Sequence, residues 1–332
     1  FIGFEKYLSD KSETSKTQFT SLIRNEMPEQ TYLELGIWYQ NLNLNEEALK
    51  VFSLAPQNAE IIYWKAFIEN KTVDISKIQP GTSFPFRSET AEILVKLIPT
   101  NDQYQLKYHL ALIEWNRNNI SKAKELFLAC GTKPVDPAFY AAKADLMKDN
   151  AQIVVSSLEQ AIKLDNQGWR YYKLLAEHYI SQKQYDKALA LIGPFYKKHS
   201  DNYILGILYA KALLLNKKYV AAVKFLTQLE ILPFEGATIG RQLYHEAKLM
   251  QAVAEMNNKK YKKALQFIAE AKLWPENLGV GKPYDVDIDE RLENWLDYQC
   301  YINLGDPQKA QQSLEKIIAF NPKIDNTVMN FL

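Results

Sequence analysis

One acidic run in the sequence has a spacing that could bind a metal ion. Asp285, Asp287 and Asp289 alternate along the chain, and Glu290 follows them directly. Carboxylates two residues apart can ligate Ca²⁺, but a calcium loop of the EF-hand kind needs a glycine at its turn and a glutamate farther along the chain. Ile288 and Glu290 stand in those places here. The run therefore predicts the start of a helix, with Asp289 as its N-cap, rather than a metal site.

The histidines form no catalytic or metal-binding pattern. None is three or four residues from another, the spacing that would place two on one helical face. The four histidines are His109, His178, His199 and His245. The sequence also has no GxSxG, HExxH, CxxC or phosphate-loop motif. We therefore expect a protein that is not an enzyme and needs no metal or other cofactor.

The elements that position the side chains come from a repeated pattern. Ala188 and Ala222 are 34 residues apart, and each opens the second of two amphipathic runs joined by a polar turn. Five further positions continue the series: Ala48, Ala123, Val154, Ala264 and Ala310. Apolar residues recur four and seven places after each of these positions, on one helical face. The sequence predicts an all-α fold, an α-solenoid of helix–turn–helix repeats.

A small residue stands twelve places before six of these seven positions, for example Gly36 before Ala48, while Tyr298 breaks the rule. A small residue there lets the two helices of a hairpin approach closely. With its 34-residue period, the pattern resembles the tetratricopeptide repeat (TPR) family. The resemblance implies a right-handed superhelix, which we expect to contain about seven hairpins.

Three strings in this frame support a narrower resemblance. They are FPFRSET from residue 84, EGATIGRQLY from residue 235 and WPENLGVGKPYD from residue 274. In this order they resemble the C-terminal TPR region of large bacterial proteins whose preceding domain is mutarotase-like and carbohydrate-associated. The resemblance implies that this chain is the repeat part of a larger polypeptide, with a carbohydrate-active domain as a possible partner. Because the chain begins with Phe1 rather than Met, we expect that something preceded it.

The repeat register also nominates residues for the concave groove of such a superhelix. They are four basic side chains and a nearby tyrosine: Lys143, Arg170, Lys173, Lys211 and Tyr140. The resemblance to TPR domains that clamp a terminal carboxylate suggests a use for them. Those domains have asparagine where Glu177 and Lys211 stand here. The groove is therefore predicted to accept an acidic or extended segment, unless it is an ordinary solvated face.

Two insertions explain the longer steps late in the series. Residues 232–240 and 274–290 carry proline and glycine, and each lies between one repeat and the next. Insertions of this kind map to loops on one edge of a solenoid, often the working edge. Trp274 and Tyr284 lie outside the repeat register, so they are candidates for contact with a partner or a sugar ring.

Arg241 and Tyr244 are the other candidates at the insertions. They follow Glu235 closely in the sequence. An ion pair between Arg241 and Glu235 could hold the first insertion closed. The guanidinium could equally bind a ligand carboxylate or a sugar hydroxyl, since arginine offers a planar fork of donors.

Composition limits the classes of partner. The 332 residues carry a formal net charge of +1, so no overall field attracts nucleic acid. Apolar residues make up 47% and charged residues 24%, as in a soluble folded protein. The longest apolar stretch, near residues 203–210, is far shorter than the roughly 20 residues of a membrane span. Cytoplasm and periplasm both fit this composition.

Three regions are expected along the chain. Residues 1–28 are a linker or cap. Residues 29–101 hold the first hairpin and an irregular break, in which the helix IIYWKAFI from residue 61 lacks a partner. Residues 102–332 form the main superhelix with the two insertions, ending at a helix stop, Asn321–Pro322, and an apolar tail from residue 328 that could cap it.

The sequence favours a non-catalytic protein–protein interaction module. It would dock a peptide segment of another protein or a domain of its parent chain. The alternative is an accessory region that binds or helps to process glycans through its insertion loops, using Trp274, Tyr284 and Arg241.

Overall fold

A computed structural model describes residues 2–76, 78, 81, 83–234 and 236–320. Within these ranges the chain forms helices and connecting loops, and no strand is present. The prediction of an all-α fold is therefore confirmed. The predicted helix stop at Asn321–Pro322 and the apolar tail from residue 328 lie outside the described residues. In the described part of the chain, no helix is both long and apolar enough to cross a membrane.

The chain divides into two compact units, and unit 1 comprises Phe1–Gln167. Its described helices are α1 (Ile2–Asp10), α2 (Glu13–Ser21), α3 (Pro28–Asn41), α4 (Asn45–Leu54), α5 (Ala59–Glu69), α6 (Ser88–Leu97), α7 (Tyr104–Asn116), α8 (Ile120–Ala129), α9 (Pro137–Leu146) and α10 (Ala151–Leu164). Each odd-numbered helix packs against the next helix as a hairpin. A single 3₁₀ turn, Ile98–Thr100, follows α6.

Unit 2 comprises Gly168–Leu332. Its described helices are α11 (Trp169–Ser181), α12 (Tyr185–Lys198), α13 (Tyr203–Leu215), α14 (Tyr219–Leu226), α15 (Ile239–Asn257), α16 (Tyr261–Ala271), α17 (Arg291–Leu304) and α18 (Pro307–Ala319). They pair in order into four hairpins within the described residues. Two 3₁₀ turns, Glu276–Leu278 and Asp285–Asp287, lie in the second insertion.

The repeat register places the core of every predicted hairpin. All seven residues of the alanine series are buried, with at most 4% of their surface exposed. Gly36 on α3 faces the ring of Phe52 on α4 so closely that a Cβ there would lie 2.3 Å from the ring. The expected close approach of the two helices at this position is confirmed.

Residues 2–21, in the segment expected to be a linker or cap, form a hairpin of two helices. Phe4 of α1 is fully buried, and its ring centroid lies 5.3 Å from that of Phe19 in α2 and 5.5 Å from that of Tyr39 in α3. The Tyr39 hydroxyl donates a hydrogen bond to the Glu5 carboxylate. Ser12 caps α2 by accepting from the Ser15 amide. The hairpin therefore covers one apolar face of α3.

The helix expected to lack a partner, α5, has one. It packs against α6 across the connection of residues 70–87. Trp64 Nε1 donates to Thr90 Oγ1 at 3.1 Å, and Thr90 Oγ1 donates to the buried Glu60 carboxylate at 2.5 Å. Proline and glycine in the connection indicated a broken repeat, but lengthening a loop adds little to the entropy of closing it. The prediction of an unpaired helix was wrong for this reason.

Candidate functional site

A groove of about 430 Å³ lies between two neighbouring hairpins of unit 2. One wall is the turn between α13 and α14 with the first residues of α14, residues 217–221. The opposite wall is the C-terminal half of α15, with Gln251, Ala254 and Glu255, and the facing side of α16, with Lys263 and Phe267. This volume falls within the range of small-ligand and peptide pockets in proteins.

Local hydrogen bonds fix the wall made by the α13–α14 turn. Lys217 has a left-handed backbone with φ of 59°, and the next amide, that of Lys218, donates back to the Leu213 carbonyl at 2.9 Å. The Gln251 side-chain amide of α15 donates to the Tyr219 carbonyl at 3.4 Å. These contacts join the two walls at one end and leave the Val220 side chain 71% exposed.

The groove combines positive charge with aromatic and aliphatic surface. Lys217 and Lys218 are exposed, and within the described part of the chain neither forms an ion pair. Lys263 Nζ lies 2.7 Å from Glu255 Oε1 and 5.7 Å from the centroid of the Phe267 ring. The hydrogen bond from Lys263 holds the pKa of Glu255 below its ordinary value. The second oxygen of Glu255, Oε2, is buried and accepts no hydrogen bond.

The second insertion contacts the chain that leads into the first insertion in unit 2. Asn277 of the second insertion donates from Nδ2 to the carbonyls of Leu226 and Leu229, at 2.9 and 2.8 Å. Its own carbonyl accepts from the Ile231 amide at 2.8 Å. Leu278 is 1% exposed and joins the core cluster around Ile231. The second insertion is thus anchored on the chain that leads into the first.

We expect Asn277→Ala to detach this anchor. Two backbone carbonyls would lose their donor, which corresponds to a loss of about 1–3 kcal/mol in the free energy of unfolding. Urea unfolding measures the loss, and hydrogen exchange at the Ile231 amide should accelerate locally. Asn303→Ala is the matched control, because the Asn303 side chain donates to a carbonyl on an exposed face of α17. Equal losses in both variants would contradict the anchoring role of Asn277.

Three of the insertion-loop candidates lie within the packing of unit 2. Arg241 is 9% exposed, donates from Nη2 to the Ala271 carbonyl at 3.0 Å, and stacks over Trp274 at 4.6 Å. Tyr244 is 5% exposed. Trp274 is half-buried, and both its Nε1 and the Nε of Arg241 are buried donors without an acceptor. Tyr284 is 83% exposed. The suggested ion pair between Arg241 and Glu235 lies outside the described residues.

Ionisable side chains beside Arg241 are paired among themselves. His245 Nε2 lies 2.6 Å from the buried carboxylate of Glu293, while Lys272 lies 3.1 Å from Glu290 and 3.4 Å from Asp297. Burial raises the pKa of Glu293, but hydrogen bonds and nearby positive charge together outweigh burial, and the net shift is downward. These contacts link α15, α17 and the second insertion. Within the described residues, no group of three or more His, Cys, Asp and Glu is placed to hold a metal ion.

The structure places the predicted concave residues in different settings. Tyr140 is 7% exposed, and its hydroxyl donates to the Pro134 carbonyl at 3.0 Å, so it belongs to the packing of unit 1. Lys143, in the same unit, is half-buried. In unit 2, Arg170 is exposed and stacks on Trp169 at 4.7 Å, and Lys211 is exposed. Lys173 pairs with Glu177, at 2.8 Å.

Sequence reasoning missed the groove. Its register treated residues 216–218 and 257–260 only as polar turns. The signal that could have found them is the lysine content, NKKY at 216–219 and NNKKYKK at 257–263, in two turns that the repeat places at the same edge.

The fold and the groove define a class: an all-α protein of stacked helix hairpins. No protein-family model matches the sequence, and no curated protein matches it. Solved structures with similar folds include the C-terminal part of a TPR repeat-containing protein from Cytophaga hutchinsonii, with 14% identity, a TM-score of 0.46, and coverage of 73% of this chain and 93% of the other. A TPR protein from Parabacteroides merdae has 11% identity, a TM-score of 0.35, and coverage of 83% and 98%.

A third similar structure is a thermophilic TPR protein from Thermus thermophilus, with 22% identity and a TM-score of 0.33. That similarity covers 56% of this chain and 99% of the other. The right-handed superhelix and the mutarotase-like parent protein stay predictions.

Proposed function

We propose that this chain is a non-catalytic, TPR-type interaction module that docks an extended segment of a protein. The observation that carries the proposal is the preformed groove of about 430 Å³ between the α13–α14 and α15–α16 hairpins. A rigid groove binds a flexible segment well because the module itself loses little conformational freedom on binding. The walls offer Tyr219, Val220 and Phe267 for apolar contact.

The segment could belong to another protein or to a larger polypeptide that contains this chain. The resemblance to repeat regions of carbohydrate-associated proteins favours the second source. A glycan site at the insertion loops has less support, because Arg241 and Tyr244 are buried and Trp274 is half-buried. Arg170, Lys173 and Lys211 of unit 2 remain a proposal for a second contact surface, and Lys143 of unit 1 remains a separate candidate.

The experiment that tests docking uses random peptides displayed on phage and selected on the purified chain. Ala254 is exposed and lines the groove, so Ala254→Trp fills the groove without altering charge. We expect selected peptides to bind this variant at least about tenfold more weakly than the natural chain, a loss of about 1.4 kcal/mol.

Ala190→Trp is the matched control, because Ala190 is an exposed alanine on α12 of the same unit, outside the groove. Thermal unfolding of both variants shows whether they fold. Peptides that bind the natural chain and Ala254→Trp equally well would contradict docking at this groove.

A further inference from the structure

Six hairpin turns in the described residues share one hydrogen-bonding pattern, which makes their residues comparable. In three successive hairpins of unit 2 the amide after the left-handed residue donates to a carbonyl five residues earlier: Gln184 to Tyr179, Lys218 to Leu213 and Lys260 to Glu255, at 2.8–2.9 Å. The turns after α3, α7 and α17 close in the same way, through Leu44, Asn119 and Asp306.

The left-handed position of these turns differs in residue type along the chain. Asn43, Asn118 and Gly305 occupy it in the turns after α3, α7 and α17. Glycine and asparagine are the residues that tolerate this conformation best. The three successive turns of unit 2 instead have Lys183, Lys217 and Lys259, with φ of 57–59°. The turn therefore does not require lysine. Nevertheless, lysine, which tolerates the left-handed conformation less well than asparagine or glycine, occupies this position in three successive turns.

These lysines belong to a set in three successive turns, which we name the basic edge: Lys183, Lys217, Lys218, Lys259 and Lys260. All five are exposed. Hydrogen bonds hold neighbouring hairpins together beside them, from Asn216 Nδ2 to the Tyr185 carbonyl at 2.8 Å and from Gln251 Nε2 to the Tyr219 carbonyl at 3.4 Å. Lys11 is a further left-handed lysine, in the α1–α2 turn of unit 1, where its neighbours are Asp10 and Ser12.

We propose that the basic edge and the groove together bind an acidic segment of a partner protein in an extended conformation. This inference rests on the proposed function and names the chemistry of the docked segment. Alternate side chains of an extended segment point to opposite sides. Acidic residues on one side would face Lys217 and Lys218 in one wall, while apolar residues on the other would contact Phe267 in the opposite wall.

The groove favours a peptide over a nucleic acid. Glu255 Oε2 is a buried acceptor without a donor, and it lies in the groove wall. A peptide backbone supplies N–H donors along its length, which can satisfy this oxygen. A phosphodiester backbone has no such donors.

The probe for this proposal is a fluorescein-labelled peptide of about ten residues, ~33 Å long when extended. In it, Asp or Glu alternates with Leu or Tyr. We expect a Kd on the order of 10 µM by fluorescence anisotropy at low salt, weakening when NaCl is raised to about 0.5 M. A peptide with Asn and Gln in place of the acids should bind at least about tenfold more weakly.

The variants locate the binding surface. K217E/K218E should weaken binding of the acidic peptide at least about tenfold. K197E/K198E makes the same charge change at an exposed lysine pair in the last turn of α12, and should leave the Kd within about threefold. Lys217→Asn removes one positive charge at a position that asparagine tolerates, so it should weaken binding without lowering the Tm.

Several outcomes would overturn the proposal. One is an equal loss of peptide affinity in K217E/K218E and K197E/K198E. Another is that a single-stranded oligonucleotide of the same charge as the peptide binds more tightly than the peptide does and depends on the same lysines. A third is self-association of the chain, measured by sedimentation, that K217E/K218E abolishes. If displayed peptides bind the groove, as judged with Ala254→Trp, but are not acidic, the docking function stands and this inference fails. If no peptide depends on Ala254, the docking function itself fails.

Discussion

Replacing both Tyr63 and His109 with phenylalanine is expected to make the protein more resistant to acid. His109 of α7 is buried, and its Nδ1 lies 2.9 Å from the Tyr63 hydroxyl of α5. Burial lowers the pKa of His109 from its ordinary value of 6.5 to about 3. Between pH 6.5 and about 3, His109 therefore stays neutral in the folded chain, whereas the same histidine is protonated in the unfolded chain.

The sign of the pH effect follows from this difference. Between pH 6.5 and about 3, the unfolded state binds one more proton than the folded state at this residue, so stability falls as the pH falls. Above pH 6.5 the imidazole is neutral in both states and contributes no pH dependence. At pH 4 the loss from His109 alone amounts to about 3 kcal/mol of the free energy of unfolding.

The double variant Tyr63→Phe/His109→Phe removes the titrating group and both hydrogen-bonding partners together. Its stability at pH 7 should stay close to that of the natural chain, because neither side chain leaves the other unsatisfied. A cavity of about 20 Å³ beside His109 gives the larger ring some room. At pH 4 the variant should exceed the natural chain by about 3 kcal/mol, measured by urea unfolding at both pH values.

Tyr63→Phe alone is the control for the cause. It keeps the buried histidine and removes only its hydrogen bond, so the acid loss should persist. If the double variant loses as much stability as the natural chain between pH 7 and pH 4, burial of His109 does not cause the acid sensitivity.

The sequence predicts those features that depend on contacts within one repeat. Ala188, Ala222 and their counterparts are buried because helix pairing forces a small residue to the interface at a fixed spacing. The pairing of α5 with α6 escaped prediction because the partner lies beyond a connection of 18 residues, 70–87. The α1–α2 hairpin escaped because its core depends on a few residues, chiefly Phe4 and Phe19, in an otherwise polar stretch.

In the candidate site, too, the sequence indicates features of a single repeat but not those that depend on contacts between separate elements. The register could nominate Tyr140, but only the folded structure shows that its hydroxyl reaches the Pro134 carbonyl and that its ring is buried. Arg241 and Trp274 were singled out separately, and their stacking depends on how the second insertion returns over α15. The groove at Lys217 and Lys263 joins residues from different hairpins, and no repeat position alone indicates its volume.

Gly36→Ala tests the closest helix contact, and two effects of opposite sign compete in it. In a helix interior, alanine is more favourable than glycine by about 1 kcal/mol. Packing opposes this gain, since the new methyl group would lie 2.3 and 2.4 Å from two carbons of the Phe52 ring. Phe52 is only 1% exposed and lies beside Trp64, with ring centroids 6.3 Å apart, so the ring cannot turn away freely.

We expect packing to win, because overfilling a buried contact of this kind costs about 3 kcal/mol, giving a net loss of about 2 kcal/mol in the free energy of unfolding. Gly281→Ala, where a Cβ meets nothing within 4 Å, should change stability by less than about 0.5 kcal/mol. Phe52→Leu makes room for the methyl group, so the double variant Gly36→Ala/Phe52→Leu should lose less than the sum of the two single losses. A stabilised Gly36→Ala, or strictly additive losses, would mean that the contact with Phe52 does not explain the glycine at this position.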